Sequence, residues 1–355
     1  MTVFPILKLP LLATEEVLKQ LSFDDIYPLS KCSKRCSNMI RLANTKKYTL
    51  YIRPSVSSLF LRVDHYHIMI PKDKQKRNSE DPTLIDTIIE KLRAGLSYLL
   101  TTFKFLKKKF SLFWKMDSRT ESLSIRDDYE KSWEHIEKVK TELSHLLTTF
   151  KFHQKSFVCS GIWTPEQNQL LLEMIIREQG NTFEDFSLSG NYGDMSNQWI
   201  LENIKVNNIL ATPATFPQKG FIFKTCPKVF RSRGSSWITF DTLISLGACK
   251  AIEVYETVLL AVKDIDSFLE MWKKDTFPNL EYLHLGNMKW EDNETILGFT
   301  REQLSVDRVP TRRKKIGYVS YSCIGGVDIQ SDGGVNGTLY FNADLVSVSF
   351  FAWKE

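Results

Sequence analysis

One pair of histidines and one pair of cysteines have the residue types and the spacing that could support metal chemistry. His65 and His67 are two apart on a predicted strand and would share one face, and Cys32 and Cys36 are one helical turn apart. A zinc site needs three or four ligands, and neither pair has another Cys or His at ligand spacing. We therefore expect no metal site at either pair, and we interpret the two cysteines as small buried residues.

Acidic and glycine-rich residues near the C-terminus could indicate calcium or phosphate binding. Asp328, Asp332 and Asn336 lack both the D-x-D-x-D-G spacing and the closing Glu of a calcium loop. The glycine pairs at 325–326 and 333–334 are flanked by predicted strands, and no Lys-Ser/Thr follows them, so hairpin turns are expected there. The sequence also contains no GxSxG, P-loop or HExxH motif. These observations predict a non-enzymatic protein without a cofactor.

The N-terminal 40 residues show the pattern of three short helices. Val17, Leu18 and Leu21 form an apolar stripe on the first. Ser22 and Asp25 provide a start signal for the second, whose apolar face continues to Leu29. So short a segment cannot bury all its apolar surface by itself, and we expect it to pack on the rest of the chain or on another protein.

This pattern resembles an F-box. The resemblance is carried by Leu9, Pro10, Val17, Leu18, Leu21, Asp25, Ile26, Leu29, Ser33 and Lys34. Two departures are Pro28, which would remove a hydrogen bond inside the second helix, and Cys36, where many F-boxes carry a Trp. The resemblance implies docking on the Skp adaptor of an SCF ubiquitin ligase. The implied contacts are Leu9, Pro10, Val17, Leu18, Leu21, Ile26 and Leu29. The alternative is an ordinary helical hairpin packed on its own domain.

A segment of 21 residues occurs twice in the chain. Glu90–Phe110 and Glu137–Phe157 are identical at 13 positions, at an offset of 47 residues. Each copy predicts an amphipathic helix with Leu and Phe on one face. The face consists of Leu96, Leu99, Leu100 and Phe103 in the first copy and of Leu143, Leu146, Leu147 and Phe150 in the second. Either both helices pack in the fold, or one copy is an insertion that the fold loops out.

Beyond the repeat, strands and helices alternate. One helix is predicted to begin at Thr164–Gln167, with Pro at its first position and Gln at its third, and to end at Gly180. Candidate strands around Phe186, Phe221, Ile252 and Leu283 recur every 31 to 35 residues. Helices are predicted between them at 194–206, 240–246 and 264–274, and hairpin strands at the C-terminal end. The pattern favours either a degenerate, leucine-rich-repeat-like solenoid or a non-repetitive α/β domain. The predicted class is therefore α+β, a three-helix F-box followed by an irregular α/β region and a C-terminal β hairpin set.

We divide the chain into four parts on this basis. They are an F-box at 1–46, a strand-rich linker with the duplicated helix at 47–157, an α/β region at 158–300, and a C-terminal β segment at 301–355. Segments at 199–208, 235–246, 268–274, 279–285 and 325–334 look like the F-box-associated type 2 region of the large nematode F-box family. In that family the region is taken to recruit substrates, so the resemblance implies a role without naming a target.

Composition and charge argue against a nucleic-acid-binding, membrane-spanning or secreted protein. The net charge of +5 does not require a nucleic-acid partner, and no apolar run approaches the 18 residues of a membrane span. Lys8, Glu15 and Glu16 interrupt the apolar N-terminus, so no secretory signal is expected. Six scattered cysteines then predict reduced thiols and a cytoplasmic or nuclear location. Arg312–Lys315 is predicted as a basic turn, and the run Pro310–Lys315 that contains it could serve as a nuclear localisation signal, although a solvated surface is the alternative.

The sequence thus favours a substrate adaptor that joins a Skp-type adaptor and a cullin-RING complex to an unknown protein client. The alternative is an F-box-like interaction scaffold without a degradative role. Glu253, Tyr255, Glu281 and Tyr282–His284 would form an exposed client face if the strands stack, with acidic groups suited to a basic client. Otherwise the tyrosines are core residues and the acids only solvate the surface.

Overall fold

The computed structural model describes eleven stretches of the chain. They are residues 11–42, 48–54, 58–71, 129–160, 164–189, 194–212, 220–234, 236–305, 311–317, 319–343 and 346–354. Leu9, Pro10 and the first repeat copy lie outside them. The described residues divide into two compact units, one within Met1–Lys47 and Ile70–Lys151 and the other within Tyr48–Met69 and Phe152–Glu355.

The first unit is helical. Its helices are α1 (Leu11–Gln20), α2 (Phe23–Cys32), α3 (Lys34–Leu42) and α4 (Tyr129–Thr149). Three short N-terminal helices were expected, and Pro28 does lie inside α2. The Ser33 hydroxyl accepts a hydrogen bond of 3.1 Å from the Cys36 amide, which supports the start of α3.

Helix α4 contains most of the second repeat copy and completes the core of this unit. The predicted apolar face is fully buried, with Leu143 and Leu146 0% exposed and Phe150 1% exposed. The Phe150 ring lies 4.9 Å from that of Phe23 in α2, centroid to centroid. The helix ends at Thr149 and a strand begins at Phe152, so the predicted helix is right for the first part of the copy and wrong for its end.

The second unit is built on a mixed sheet of twelve described strands. They are β1 (Tyr48–Pro54), β2 (Ser58–Val63), β3 (Tyr66–Pro71), β4 (Phe152–Ser160), β5 (Thr182–Ser189), β6 (Lys205–Thr212), β7 (Val229–Ser232), β8 (Ala251–Val254), β9 (Tyr282–Leu285), β12 (Val327–Gln330), β13 (Asn336–Asn342) and β14 (Ser347–Trp353). Their order across the sheet is β12-β13-β14-β9-β8-β7-β6-β5-β4-β1-β2-β3. A separate hairpin consists of β10 (Arg312–Ile316) and β11 (Val319–Cys323).

Strands β4 to β9 are parallel and follow one another in chain order. The helices of this unit are α5 (Pro165–Gln179), α6 (Asp194–Asn203), α7 (Phe240–Ser245), α8 (Val262–Lys273) and α9 (Arg301–Leu304). Helices α5 to α8 connect parallel strands. Because such crossovers are right-handed and all advance in one direction, they lie on one face of the sheet and leave the other face free.

The predicted period of 31 to 35 residues is wrong. Paired residues in neighbouring strands are Phe186, Leu210, Phe230, Ile252 and Leu283, which are 24, 20, 22 and 31 residues apart. Phe221 lies in no strand; it follows Gly220, which donates a backbone hydrogen bond of 3.0 Å to Trp237. The region is therefore α/β with unequal connections.

Local start and stop signals were more reliable than the period. The Gln167 amide donates to the Thr164 hydroxyl at 3.3 Å, and the Thr164 amide donates to the Gln167 side chain at 3.1 Å. This reciprocal cap confirms the predicted start of α5. Gly180, with φ of 76°, ends the helix as predicted.

The basic run Arg312–Lys315 is wrong as a predicted turn, because it forms strand β10. The chain turns instead at Gly317, which has φ of 61°. The hairpin packs on the helix-free face of the main sheet, where Ile316, Tyr321 and Cys323 join one buried cluster with Tyr282 and Phe351.

Candidate partner-binding sites

The seven residues predicted to contact an adaptor differ in exposure. Leu9 and Pro10 lie outside the described residues. Leu18, Ile26 and Leu29 are 5%, 2% and 5% exposed, so they form the core of the helical unit. Val17 and Leu21 are only half-buried and keep apolar surface for a partner. No observation on the chain alone tests the predicted contact, which remains a prediction.

Polar contacts fix α4 on the N-terminal helices. The Tyr27 hydroxyl donates a hydrogen bond of 2.9 Å to Glu142, and Lys31 forms an ion pair with the same carboxylate. Ser30 and the His145 ring share a hydrogen bond of 2.8 Å. In the first repeat copy the positions of Glu142 and His145 are occupied by Gly95 and Tyr98. The second copy alone therefore carries the side chains that make these polar contacts.

Burial and charge shift both titratable groups of this contact. Burial opposes ionisation of Glu142, but the hydrogen bond and the charge of Lys31 outweigh it, so the pKa of Glu142 lies below its usual value. Burial also lowers the pKa of His145, with the Lys31 charge acting in the same direction. The contact therefore favours an ionised Glu142 and a neutral His145.

The predicted client face in the second unit is largely internal. Arg231, Glu253, His284 and Ser349 stand side by side on strands β7, β8, β9 and β14. Glu253 is 3% exposed, its carboxylate accepts a hydrogen bond of 2.8 Å from Arg231 Nε, and Tyr321 of the hairpin donates one of 2.5 Å. The Glu253 carboxylate therefore neutralises Arg231 beneath the hairpin, and the prediction that it forms an exposed acidic rim is wrong.

The other predicted client residues are divided between core and surface. Tyr282 is 8% exposed, so the alternative that it is a core residue is confirmed. Glu281 is held by Lys250 at 2.8 Å and by Lys314 at 3.2 Å. Tyr255 is 46% exposed, and its hydroxyl donates a hydrogen bond of 2.6 Å to Glu253. Burial, with this hydrogen bond, raises the pKa of Tyr255 to about 12.

The basic strand β10 has two chemically different sides. Arg312 ion-pairs with Asp328 at 2.6 Å and stacks on the Trp353 ring at 4.4 Å. Lys314 pairs with Glu281 and donates a hydrogen bond of 2.6 Å to the Ala352 carbonyl. Arg313 and Lys315 alternate with them and are exposed. Sequence reasoning missed this division, although the alternation of VSYSC in the neighbouring strand was a signal for it.

The predicted histidine and cysteine pairs form no metal cluster in the part of the chain that the structure describes. No three His, Cys, Asp or Glu side chains there lie close enough together to hold a metal ion. The His67 ring packs edge-on against Phe60 at 5.1 Å. All six cysteines are free thiols, and Cys36 is buried as expected, whereas Cys32 is exposed. None of the described helices has the length and apolar composition needed to cross a bilayer.

A cavity of about 370 Å³ lies beside residues 220–227. Leu201, Glu202 and Lys205 line it together with Phe221 and Phe223. The polar part of its lining includes Lys224 and Thr225 as well, so apolar and charged side chains meet in this cavity.

Comparison with known proteins identifies two regions of the chain. A model of the F-box domain matches residues 6–48, and a model described as F-box associated matches residues 221–285. No curated protein and no solved structure was found to match. The two matches confirm the predicted pairing of an F-box with an F-box-associated type 2 region.

The two matched regions cover different helices and strands. The F-box match covers α1 to α3, and the F-box-associated match covers β7 to β9 with α7 and α8. An F-box implies binding to a Skp adaptor, and its pairing with an F-box-associated domain supports a ubiquitin-ligase adaptor role in general. Such domains are typical of non-enzymatic proteins.

Proposed function

We propose that this chain, which carries an F-box and an F-box-associated domain, is the substrate-recognition subunit of an SCF-type ubiquitin ligase. Its F-box docks on a Skp-type adaptor within a cullin-RING complex, and its α/β unit recruits a protein client. Ubiquitin transfer belongs to the RING and E2 components, and the chain acts in the cytoplasm, the nucleus or both.

The observation that supports this proposal is the division into two compact units, each with its own core. The F-box match falls in the helical unit and the F-box-associated match falls in the sheet unit. An adaptor must bind two proteins at once, and a specific interface buries about 800 Å² on each partner. Two separately packed units provide two such surfaces.

The docking surface that we propose has a contact layer and a supporting layer. Val17 and Leu21, with Leu9 and Pro10, provide the apolar contact. Leu18, Ile26 and Leu29 keep the helices in place beneath it. A single set of seven residues thus has two roles, which the docking experiment below separates.

Reconstitution followed by affinity purification tests the proposal. The purified full-length chain should co-elute with a Skp-type adaptor and a cullin at equal stoichiometry. From cells treated with a proteasome inhibitor, it should recover both of these together with proteins that accumulate when the chain is depleted. A V17S/L21S variant should lose adaptor and cullin but keep the clients.

The runner-up is an interaction scaffold that docks the same adaptor, or none, without directing degradation. It predicts stable partners whose abundance does not change when the chain is depleted. Recovery of the adaptor without cullin, or of clients with unchanged half-lives, would favour the scaffold over the ligase subunit.

A further inference from the structure

The outward side of the β10–β11 hairpin carries two cations that form no ion pair with any residue that the structure describes. Arg313 and Lys315 are exposed, and no described residue lies within ion-pair or hydrogen-bond distance of either side chain. Arg312 and Lys314, on the inward side, are both paired. Because the strand alternates, the fold neutralises one half of the basic run and leaves the other half to solvent.

Two hydroxyl groups complete this surface. In the antiparallel register Arg313 faces Ser322 and Lys315 faces Ser320, and both serines are exposed. Directly opposed side chains of such a pair lie roughly 5 Å apart. The outward side is therefore a quartet of two cations and two hydroxyl groups, all of them hydrogen-bond donors and none an acid.

The quartet is held on a rigid base. Ile316, Tyr321 and Cys323 are 4%, 8% and 0% exposed and anchor the hairpin on the main sheet. The Tyr321 hydroxyl donates to the buried Glu253, which fixes the hairpin from beneath. Since the hairpin backbone is already ordered, a ligand that binds its outward side loses no affinity to the entropic cost of ordering that backbone.

We infer that the outward face of the β10–β11 hairpin binds an acidic, extended peptide segment. Side chains two apart on a strand repeat at about 6.6 Å, the spacing of Arg313 and Lys315, so carboxylates two apart on an extended segment match them. Two free cations are too few for a nucleic-acid site, which commonly engages 6–10 phosphates. This inference rests on the proposed client-recruiting role and reverses the charge first expected of the client.

Fluorescence anisotropy of the full-length chain with labelled peptides tests the inference. The probe is a nine-residue peptide with Glu at alternate positions, and its comparison peptide has Gln at those positions. We expect the Glu peptide to bind at least about tenfold more tightly. R313Q/K315Q should lose about tenfold in affinity, and S320A/S322A should lose less. Folding of each variant is verified by its melting temperature.

K263Q/K289Q is the matched control, because it removes two exposed charges of the same sign elsewhere in the unit. It should bind the Glu peptide as the wild type does. Equal losses in both double variants would overturn the inference, since the effect would then be that of net charge. Tighter binding of an oligo-dT strand than of the peptide, lost in R313Q/K315Q, would also overturn it.

The same samples separate this inference from the proposed function. Binding of a Skp-type adaptor should be unchanged in R313Q/K315Q. A chain that binds the acidic peptide but not the adaptor would contradict the ligase role and leave the inference intact. A chain that binds the adaptor but not the peptide would contradict the inference and leave the ligase role intact.

Discussion

The Tyr27 hydroxyl donates a hydrogen bond of 2.9 Å to Glu142, which lies 115 residues further along the chain. The bond joins α2 to α4, and Phe23, His145 and Phe150 surround it. The F-box match ends at residue 48, but the core beneath it is completed by a helix at residues 129–149. The helical unit that contains the F-box match is therefore larger than the matched segment.

The first prediction concerns that core. Phe150→Ala removes a side chain that is 1% exposed and should lower the free energy of unfolding by about 3–5 kcal/mol. Urea denaturation followed by circular dichroism measures it. Lys151→Ala, one residue away and exposed, is the control and should change stability by less than about 0.5 kcal/mol. Equal stability of the two variants would mean that α4 does not support the F-box.

The second prediction concerns pH. The pKa of His145 is lowered in the fold, so the unfolded chain binds its proton more readily, and stability should fall as the pH drops through 6.5. The lowered pKa of Glu142 has the same sign and adds to the loss below pH 4.5. Thermal melting at pH 7.5 and 5.5 measures the His145 contribution. His145→Gln should flatten the profile, and an unchanged pH dependence in that variant would contradict the assignment.

The third prediction separates docking from folding. Val17→Ala with Leu21→Ala should weaken adaptor binding about tenfold or more, because both half-buried side chains lose apolar contact. Leu18→Ala should instead mainly lower the melting temperature, since Leu18 is 5% exposed. Calorimetry and thermal melting on the same preparations test both. Wild-type affinity in the Val17/Leu21 variant would place the adaptor contact elsewhere.

The fourth prediction concerns the buried pair beneath the hairpin. Glu253→Gln leaves the Arg231 guanidinium without its counter-charge and should cost about 2–3 kcal/mol, less than for a fully buried pair because Arg231 is 28% exposed. Replacing both residues by Met should cost less than the single change. Asp292→Asn, 90% exposed, is the control. A Glu253→Gln variant as stable as this control would show that the pair contributes nothing.

The fifth prediction concerns thiol reactivity. A hydrogen bond from Cys249 lowers the pKa of Cys226 to about 7, whereas partial burial of the Cys32 thiol raises its pKa. Iodoacetamide should therefore label Cys226 with a rate that rises around pH 7, and Cys32 only at higher pH. Mass spectrometry of the native protein quantifies both. Identical pH profiles would contradict the thiol hydrogen bond. After denaturation without reductant, all six cysteines should react.

Local signals in the sequence predicted local structure well. The cap formed by Thr164 and Gln167 involves neighbouring residues, and it defined α5 without knowledge of the rest of the fold. The amphipathic face of the second repeat copy was equally clear. The element that packs on this face could not be predicted, because an apolar stripe indicates that a helix is covered but does not indicate which element covers it.

Long-range features escaped prediction for a physical reason. Phe221 resembles a strand residue, but β6 and β7, which precede and follow it in the chain, pair directly with each other and leave no place for a strand between them. In β8 all four residues are buried, so the alternation that marked Glu253 as exposed does not apply. The hairpin that covers this face comes from residues 312–323, and no local pattern near Glu253 indicates it.

The two units exchange chain segments, with consequences for synthesis on the ribosome. Strand β1 pairs with β4, about 100 residues later, and α2 pairs with α4 across a similar interval. Neither of these contacts can form until about 150 residues have been synthesised, so we expect both units to stay incomplete for the same period. A message truncated between residues 48 and 128 would lack α4, so under the proposed function we expect its product to bind the adaptor poorly although it retains the F-box sequence. Loss-of-function alleles of this kind should behave as simple nulls rather than as dominant inhibitors.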